Sequence, residues 1–537
     1  MAEKKREYTL SSFLSWAAEN YPDRDAVLFD EQRISYKELD EKASRFAAGL
    51  LKIGVKPGER VGLWMPNYPQ WIVAYFGIAR MGAVVVPMNT RYRAKELEYI
   101  INNSEATTLV LVDKFLKTDY ERILEETWEK MPTLKRAVSL GESRESGCGR
   151  IYNFEELLQL GADYSSYTPF REAVENLKED EVTFILYTSG TTGEPKGAML
   201  TNLNITKNAE QIAEVQKQTP EDVMLIVVPF FHCFGCVIGI TAAVSSASAM
   251  VPVPVFNAEE VMRLVERHRV TILHGVPTMF IEWLEVLKKK PYDVSSLRTG
   301  VMAGAPCPIE VMRGSMERMG MNTVIAYGLT EASPVITMTR FEDSLEDRVE
   351  TVGRPLPDIE VRIVDDNHNP LPPGEVGELA CRGYNVMKGY FKKPKETAEA
   401  IDEEGWLYSG DLAVMDERGY VRIVGRKKEM YITGGFNVYP REIEEFLFTH
   451  PKVENVAVIG VPDKKYGEVG MAVIKLKEGE TATEEEIIEY CKGKIANYKI
   501  PRYVVFVDSY PMTQSGKIQK YKLREWAEGL LKKEGKI

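Results

Sequence analysis

The sequence predicts an α/β protein, with a large N-terminal domain of doubly wound sheets followed by a small α+β C-terminal domain. Three observations carry that expectation. Short β-rich runs alternate with amphipathic helices through the first hundred residues, the pattern of a parallel sheet covered on both faces. The stretch Val223 to Ala258 contains no Asp, Glu, Lys or Arg, as expected of chain buried from both sides. The charge balance changes sign near Gly425, with 20 Lys and Arg against 17 Asp and Glu from there to Ile537, and 48 against 63 before it.

Taken in order, Leu39, Ala43, Phe46, Leu50 and Leu51 recur at helical spacing and predict a helix over Tyr36 to Ile53. The turn Lys56-Pro57-Gly58-Glu59 launches a strand from Arg60 to Met65, and a further helix leads to a strand at Val84 to Pro87. Polar loops are expected near 141–149 and 340–350. Val223 to Ala258 is long enough to cross a bilayer, but Pro229, Pro252 and Pro254 interrupt it and Ser, Ala and Gly fill its middle. A buried strand, helix and strand is the expected reading, with no membrane span. The C-terminal module reads as a helix from Pro440, strands near Val456 and Val469, an acidic-faced helix from Thr483 to Cys491, and a strand near Tyr503. The domains are set at 1–427 and 428–537.

Composition narrows the function. With 537 residues, 44% hydrophobic and 28% charged, the chain is an ordinary globular protein with room for about two to four packed units. A net charge of -12 has the wrong sign for binding by counterion release, so no nucleic-acid partner is expected. The N-terminal residues lack the continuous apolar region of a secretory signal. Six cysteines are too sparse for a disulfide framework and point to a reducing compartment, here the cytoplasm. Cys233 and Cys236 form a C-x-x-C inside the apolar stretch, with no second pair to complete a zinc site, and read as core thiols.

The most informative segment is Tyr187-Thr188-Ser189-Gly190-Thr191-Thr192-Gly193-Glu194-Pro195-Lys196-Gly197, after the apolar strand Val182 to Leu186. Its glycines allow close backbone approach, its hydroxyls donate hydrogen bonds and Lys196 adds a positive charge, which together suit a polyphosphate. It differs from a Walker A loop, because Lys196 is followed by Gly197 and not by Ser or Thr.

This loop resembles the phosphate-binding signature of the adenylate-forming superfamily, which holds acyl-CoA synthetases, peptide synthetase adenylation domains and beetle luciferases. Four further matches follow in order: Tyr327-Gly328-Leu329-Thr330-Glu331, Tyr408-Ser409-Gly410-Asp411, Gly425-Arg426-Lys427-Lys428-Glu429, and Pro511-Met512-Thr513-Gln514-Ser515-Gly516-Lys517. Ser409 stands where Thr is more usual, and Phe436 where many fatty acyl ligases carry Glu.

The resemblance implies ATP and coenzyme A as cosubstrates, Mg²⁺ as cofactor, and a mobile C-terminal lid. It places Thr188 to Gly193 and Lys196 on the phosphates, Thr330 on the α-phosphate, Glu331 on the metal, and Lys517 between α-phosphate and carboxylate. Tyr327 would stack on adenine with Gly328 beside it, Gly304-Ala305-Pro306 would shape the other side of the base, and Asp411 and Arg426 would hold the ribose. Lys428, two places after that arginine, would be the hinge, in a loop bounded by Gly425 and Gly434-Gly435. On the acyl side the resemblance implies that His232 contacts the reacting carboxylate and that Phe231, Val276 and Pro277 line the tunnel.

No acidic residue lies between Val223 and Gly235, so nothing there pairs the ammonium group of an amino acid, which favours an uncharged tail. The expected function is an acyl-CoA synthetase working through acyl-AMP on a medium- or long-chain fatty acid. Cyclic or aromatic acids, a stand-alone ligase loading a carrier protein, and a non-enzymatic binding protein are the alternatives. A homodimer is compatible with each of them.

Overall fold

A computed structural model describes residues 6–146, 149–188, 195–305, 307–512 and 518–536. Helix Tyr36–Lys52 shows how the sequence sets the local structure: Ser35 and Glu38 form a reciprocal capping box at its start, and Leu39, Ala43, Phe46 and Leu50 are buried along one face. It packs on helix Pro69–Arg80, whose first turn accepts Pro69 because the missing N–H has no partner there in any helix.

The described residues divide into two units, one built from those up to 188 and within 196–360 and 381–407, the other from Pro195 and those within 361–380 and 408–536. The expected boundary at 427/428 falls inside the second, between strands Val421–Arg426 and Tyr431–Thr433.

The first unit contains two nine-stranded sheets among the described residues. In one, Asn322–Gly328, Thr299–Ala303, Ile272–Leu273, Val223–Ile226, Ala249–Pro252 and Asp25–Phe29 run parallel in that order, with antiparallel strands at both margins. In the other, Val182–Thr188, Val84–Pro87, Arg60–Trp64, Ala106–Leu111, Arg136–Ser139 and Gly149–Asn153 form the parallel body. Helices Ala258–His268 and Pro277–Lys289 seat Val261, Met262, Phe280 and Trp283 on Leu225, Val251, Leu273 and Met302 of the first sheet. Strand, helix and strand follow one another through Val223 to Pro252 as expected, and no helix among the described residues is long and apolar enough to cross a membrane.

Part of each expected loop is a regular element. Residues 144–146 form an edge strand paired with Gly149–Asn153, and Leu345–Glu350 is a short helix whose first turn is capped by Ser344. Both are polar on the surface, which is why they read as loops.

In the second unit, strands Leu407–Met415 and Val421–Arg426 pair antiparallel. Farther along, the long hairpin of Val453–Asp463 and Gly467–Leu476 belongs to a sheet of five strands among the described residues. Its side chains alternate between two cores. Val456, Val458, Ala472 and Ile474 meet helices Pro440–Leu447 and Glu484–Cys491, while Ala457, Ile459, Met471 and Val473 meet Leu523, Ala527 and Leu531 of helix Lys520–Lys533. Gly434 and Gly435, with φ of 56° and 89°, form the two-residue turn between strands Tyr431–Thr433 and Phe436–Val438, a place that requires positive φ. They close a hairpin within the loop that the sequence placed after Lys428.

Candidate active site

The strands that flank the expected phosphate loop pair as a hairpin. Val182–Thr188 pairs antiparallel with Lys196–Thr201, so Thr188 stands opposite Lys196, and the Thr188 hydroxyl donates to the Lys196 carbonyl oxygen at 3.4 Å. Ser189, Gly190, Thr191, Thr192 and Gly193 lie outside the described residues. Gly197 has a packing role: a Cβ there would come within 2.5 Å of Ile185 Cγ2.

One strand farther out, Gly389–Tyr390 pairs with Ala198 and Met199. This register places the Lys196 ammonium 4.1 Å from the centre of the Tyr390 ring. The Tyr390 hydroxyl donates to Glu331 Oε1 at 2.8 Å, and the Met387 N–H donates to the Glu331 carbonyl oxygen at 2.9 Å. Lys196 and Glu331, read separately from the sequence, therefore meet through Tyr390. Sequence reasoning missed that tyrosine, because an aromatic after a glycine carries no pattern of its own.

Tyr327 and Gly328 end strand Asn322–Gly328, and Thr330 and Glu331 form the 3₁₀ turn Thr330–Ala332 that follows. Gly328 is dictated by space, since a Cβ would lie 1.7 Å from the Pro334 carbonyl oxygen. Gly304 and Ala305 follow the neighbouring strand Thr299–Ala303, in which Ala303 pairs with Ala326, so they emerge beside Tyr327. Gly304 has φ of 86°, and a Cβ there would sit 3.4 Å from Val276 Cγ1, so the expected adenine and acyl segments adjoin. Pro306 lies outside the described residues. Pro277 opens helix Pro277–Lys289 directly after Val276.

His232 sits in the turn Pro229 to Gly235, made tight by Gly235, whose Cβ would fall 2.2 Å from the Pro229 carbonyl oxygen. Its Nδ1 accepts from the Phe234 N–H at 3.1 Å, which assigns the ring proton to Nε2 in the neutral form. The adjoining Cys233 Sγ lies 3.8 Å from Thr330 Oγ1, so the turn carrying Phe231 and His232 meets the turn carrying Thr330 and Glu331. Both cysteines of the C-x-x-C are buried, and burial pushes the Cys236 thiol far above its ordinary value. Nearby His274 is also fully buried, and desolvation pushes it down to about 3, so it brings no charge to the acyl side. These groups cluster beyond the carboxyl ends of parallel strands, where open α/β sheets place their ligand crevices.

In the second unit Asp411 and Arg426 are register partners, with Arg426 Nε 3.1 Å from Asp411 Oδ1 and Asp411 only 7% exposed. Ser409 Oγ donates to the Leu379 carbonyl oxygen at 2.7 Å and accepts from the Asp411 N–H at 3.1 Å, work that any hydroxyl residue can do. The Gly410 N–H donates to Glu378 Oε1, and Glu378 Oε2 takes the Lys427 ammonium, each at 2.9 Å. Burial lowers the Lys427 pKa, but hydrogen bonds to Glu378 and Asp366 outweigh it and hold the group above its ordinary value. Lys428 is exposed between Lys427 and Glu429. Lys517 lies outside the described residues.

The chain is similar to known proteins over nearly its whole length. A family model described as "AMP-binding enzyme" matches residues 14–391, and one described as "AMP-binding enzyme C-terminal domain" matches residues 442–517. The chain is 49% identical to "Putative acyl-CoA synthetase YngI" of Bacillus subtilis (strain 168), over 96% of each chain. It is 38% identical to "Medium-chain acyl-CoA ligase ACSF2, mitochondrial" of Bos taurus, over 97% of this chain and 88% of that one. The structure of ATP-bound MatB from Rhodopseudomonas palustris superposes with a TM-score of 0.86 at 30% identity, covering 98% of this chain and 99% of the other.

Proposed function

We propose that this chain, which belongs to the AMP-binding enzyme family and is an ATP-dependent, AMP-forming acyl-CoA synthetase, acts on medium- or long-chain fatty acids. A carboxylate oxygen attacks the α-phosphorus of ATP and pyrophosphate leaves. The thiol of coenzyme A then adds to the acyl carbonyl carbon, gives up its proton, and AMP leaves.

The first step brings two anions together, so its rate depends on cations and on donors already oriented toward the charge that develops. Lys517 bridges the α-phosphate and the carboxylate. Thr330 donates to the α-phosphate, while Thr188, Lys196 and the loop Ser189 to Gly193 hold the remaining phosphates. His232 presents Nε2–H to the reacting carboxylate, an orientation supported by the Phe234 N–H on its other nitrogen. Tyr327 stacks on the adenine, with Gly304, Ala305, Pro306 and Gly328 around it, and Asp411 and Arg426 take the ribose hydroxyls. Lys428 is the hinge between the adenylation and thiolation poses, with the lid at 428–537.

Magnesium fits the donors present. No group of three or more His, Cys, Asp or Glu able to hold a metal occurs among the described residues, and Mg²⁺ is commonly held by one or two carboxylates together with substrate phosphates. Glu331 is the carboxylate that would hold it, and when bound it would neutralise phosphate charge. The single observation that carries the reading is the meeting of Lys196 and Glu331 through Tyr390.

An uncharged tail is supported by the apolar character of Phe231, Val276 and Pro277 and by the neutral His274. The name of the bovine relative, a medium-chain ligase, supports the chain length. The five described cysteines are free, which supports a cytoplasmic location. The test is acid- and CoA-dependent AMP release across fatty, cyclic, aromatic and amino acids. Medium- or long-chain fatty acids should give the highest kcat/KM, and amino acids should fall at least about a hundredfold lower for want of a partner to their ammonium group. A preference for aromatic or amino acids would overturn the assignment.

A further inference from the structure

Residues 387–391 are tied to two expected site segments at once. Their backbone extends the phosphate-loop hairpin, with the Phe391 N–H donating to the Gly197 carbonyl oxygen at 2.8 Å and the Lys388 N–H to that of Met199 at 2.9 Å. The Met387 N–H meanwhile holds the Glu331 carbonyl oxygen. Tyr390, only 7% exposed, then uses both parts of its side chain, the ring against the Lys196 ammonium and the hydroxyl on Glu331 Oε1.

We propose that Tyr390 is a positioning residue for adenylation: it fixes the Glu331 carboxylate so that Oε2 is presented to the magnesium of MgATP, and it steadies the Lys196 ammonium at the mouth of the phosphate loop. This rests on the roles proposed above for Glu331 and Lys196.

A glutamate has three rotatable side-chain bonds, and a carboxylate left to rotate meets a hard cation only after losing that freedom. One charge-assisted hydrogen bond at 2.8 Å removes much of it beforehand, while leaving the other oxygen's lone pairs available. The tyrosine is itself held. Its N–H donates to Thr397 Oγ1 at 2.9 Å, and Gly389 before it has φ of 130°, with a Cβ there approaching Thr397 Cγ2 to 2.6 Å. An ionised carboxylate can only accept, so the phenol is the donor in this contact. The ring attracts the lysine through its π face and leaves ammonium N–H groups for phosphate oxygens.

Tyr390→Phe removes the hydroxyl and keeps the ring, whereas Tyr390→Leu removes both. Calorimetric ATP binding to the full-length protein, measured over a series of free Mg²⁺ concentrations, separates them. With Tyr390→Phe the Mg²⁺ needed for half-maximal ATP binding should rise by about tenfold, the scale of one hydrogen bond to a charged group, with ATP affinity at saturating Mg²⁺ unchanged within about twofold. Tyr390→Leu should in addition weaken ATP at saturating Mg²⁺ by about threefold to tenfold through loss of the ring beneath Lys196. In a Glu331→Gln background, Tyr390→Phe should shift the Mg²⁺ requirement no further, since its target charge is gone. If Tyr390→Phe leaves the requirement unchanged while Glu331→Gln raises it, or acts equally in both backgrounds, the positioning role is wrong. If Glu331→Gln itself leaves the requirement unchanged, the metal role of Glu331 fails and this inference with it.

Discussion

Around Glu331 the contacts are a tyrosine hydroxyl on the carboxylate, a tyrosine ring against an ammonium, and a thiol beside a threonine hydroxyl, whereas the chain on either side of Lys428 is bracketed by ion pairs. Arg426 pairs with Asp411 and Lys427 with Glu378 and Asp366, while Glu429 pairs with Lys520, which also reaches Glu444. Uncharged donors act at short range and only in the right geometry, and the antiparallel addition of Gly389–Tyr390 to the hairpin edge supplies that geometry for Glu331. The ion pairs each stay on their own side of residue 428. They pin the flanking segments into their own sheets and helices, which would leave a backbone change to concentrate at one exposed residue. A site for developing charge needs rigidity, and a hinge needs rigid flanks with a free joint.

That contrast can be broken at either end. The largest effect is expected for Lys517→Ala, which should slow acid-dependent pyrophosphate exchange by about a hundredfold or more through loss of a transition-state cation. Exchange within tenfold of the unaltered rate would remove Lys517 from the adenylation step. Next, Asp411→Ala should weaken ATP by about tenfold to a hundredfold, the scale of one charge-assisted hydrogen bond of about 1.5–3 kcal/mol. Unchanged calorimetric binding would show that the ribose lies elsewhere.

The smallest effect concerns the flank itself. Lys427→Met leaves Glu378, which is 8% exposed, without its ammonium partner, and should lower the Tm by a few degrees while both half-reactions persist. Because the folded-state pKa of Lys427 is raised, its contribution to stability should be present in full below the ordinary lysine pKa of about 10.4, and be lost as pH rises through the higher folded value. Thermal unfolding of the two proteins should therefore converge in strong alkali. A gap that stays constant with pH would mean that the lysine acts by packing alone.

Much of this was legible from local pattern. The helix at Tyr36, the strands at Arg60 and Val84 and most of the C-terminal module follow from spacing and turn residues, and Gly328, Thr330 and Glu331 stand together in one short segment. Contacts set by sheet register were not legible. Tyr390 reaches Lys196 and Glu331 only because Gly389–Tyr390 adds to the hairpin edge, and Glu378 reaches Gly410 and Lys427 only through the second unit's pairing. Helix Lys520–Lys533 did leave a signal, in Leu523, Ala527 and Leu531 at intervals of one helical turn, masked by the basic residues between them. The helix at Leu345 likewise left Ser344 followed three residues later by Asp347, a capping pattern that a purely polar reading passes over.

The most direct test of the division between a fixed adenylation site and a hinged lid is to measure the two half-reactions separately in Lys517→Ala and Lys428→Pro. Lys517→Ala should lose pyrophosphate exchange yet still convert supplied acyl-AMP and coenzyme A to thioester. Lys428→Pro should keep exchange and lose thioester formation by about tenfold or more, because a fixed φ hinders rotation into the second pose. Equal loss of both half-reactions in both variants would contradict the division.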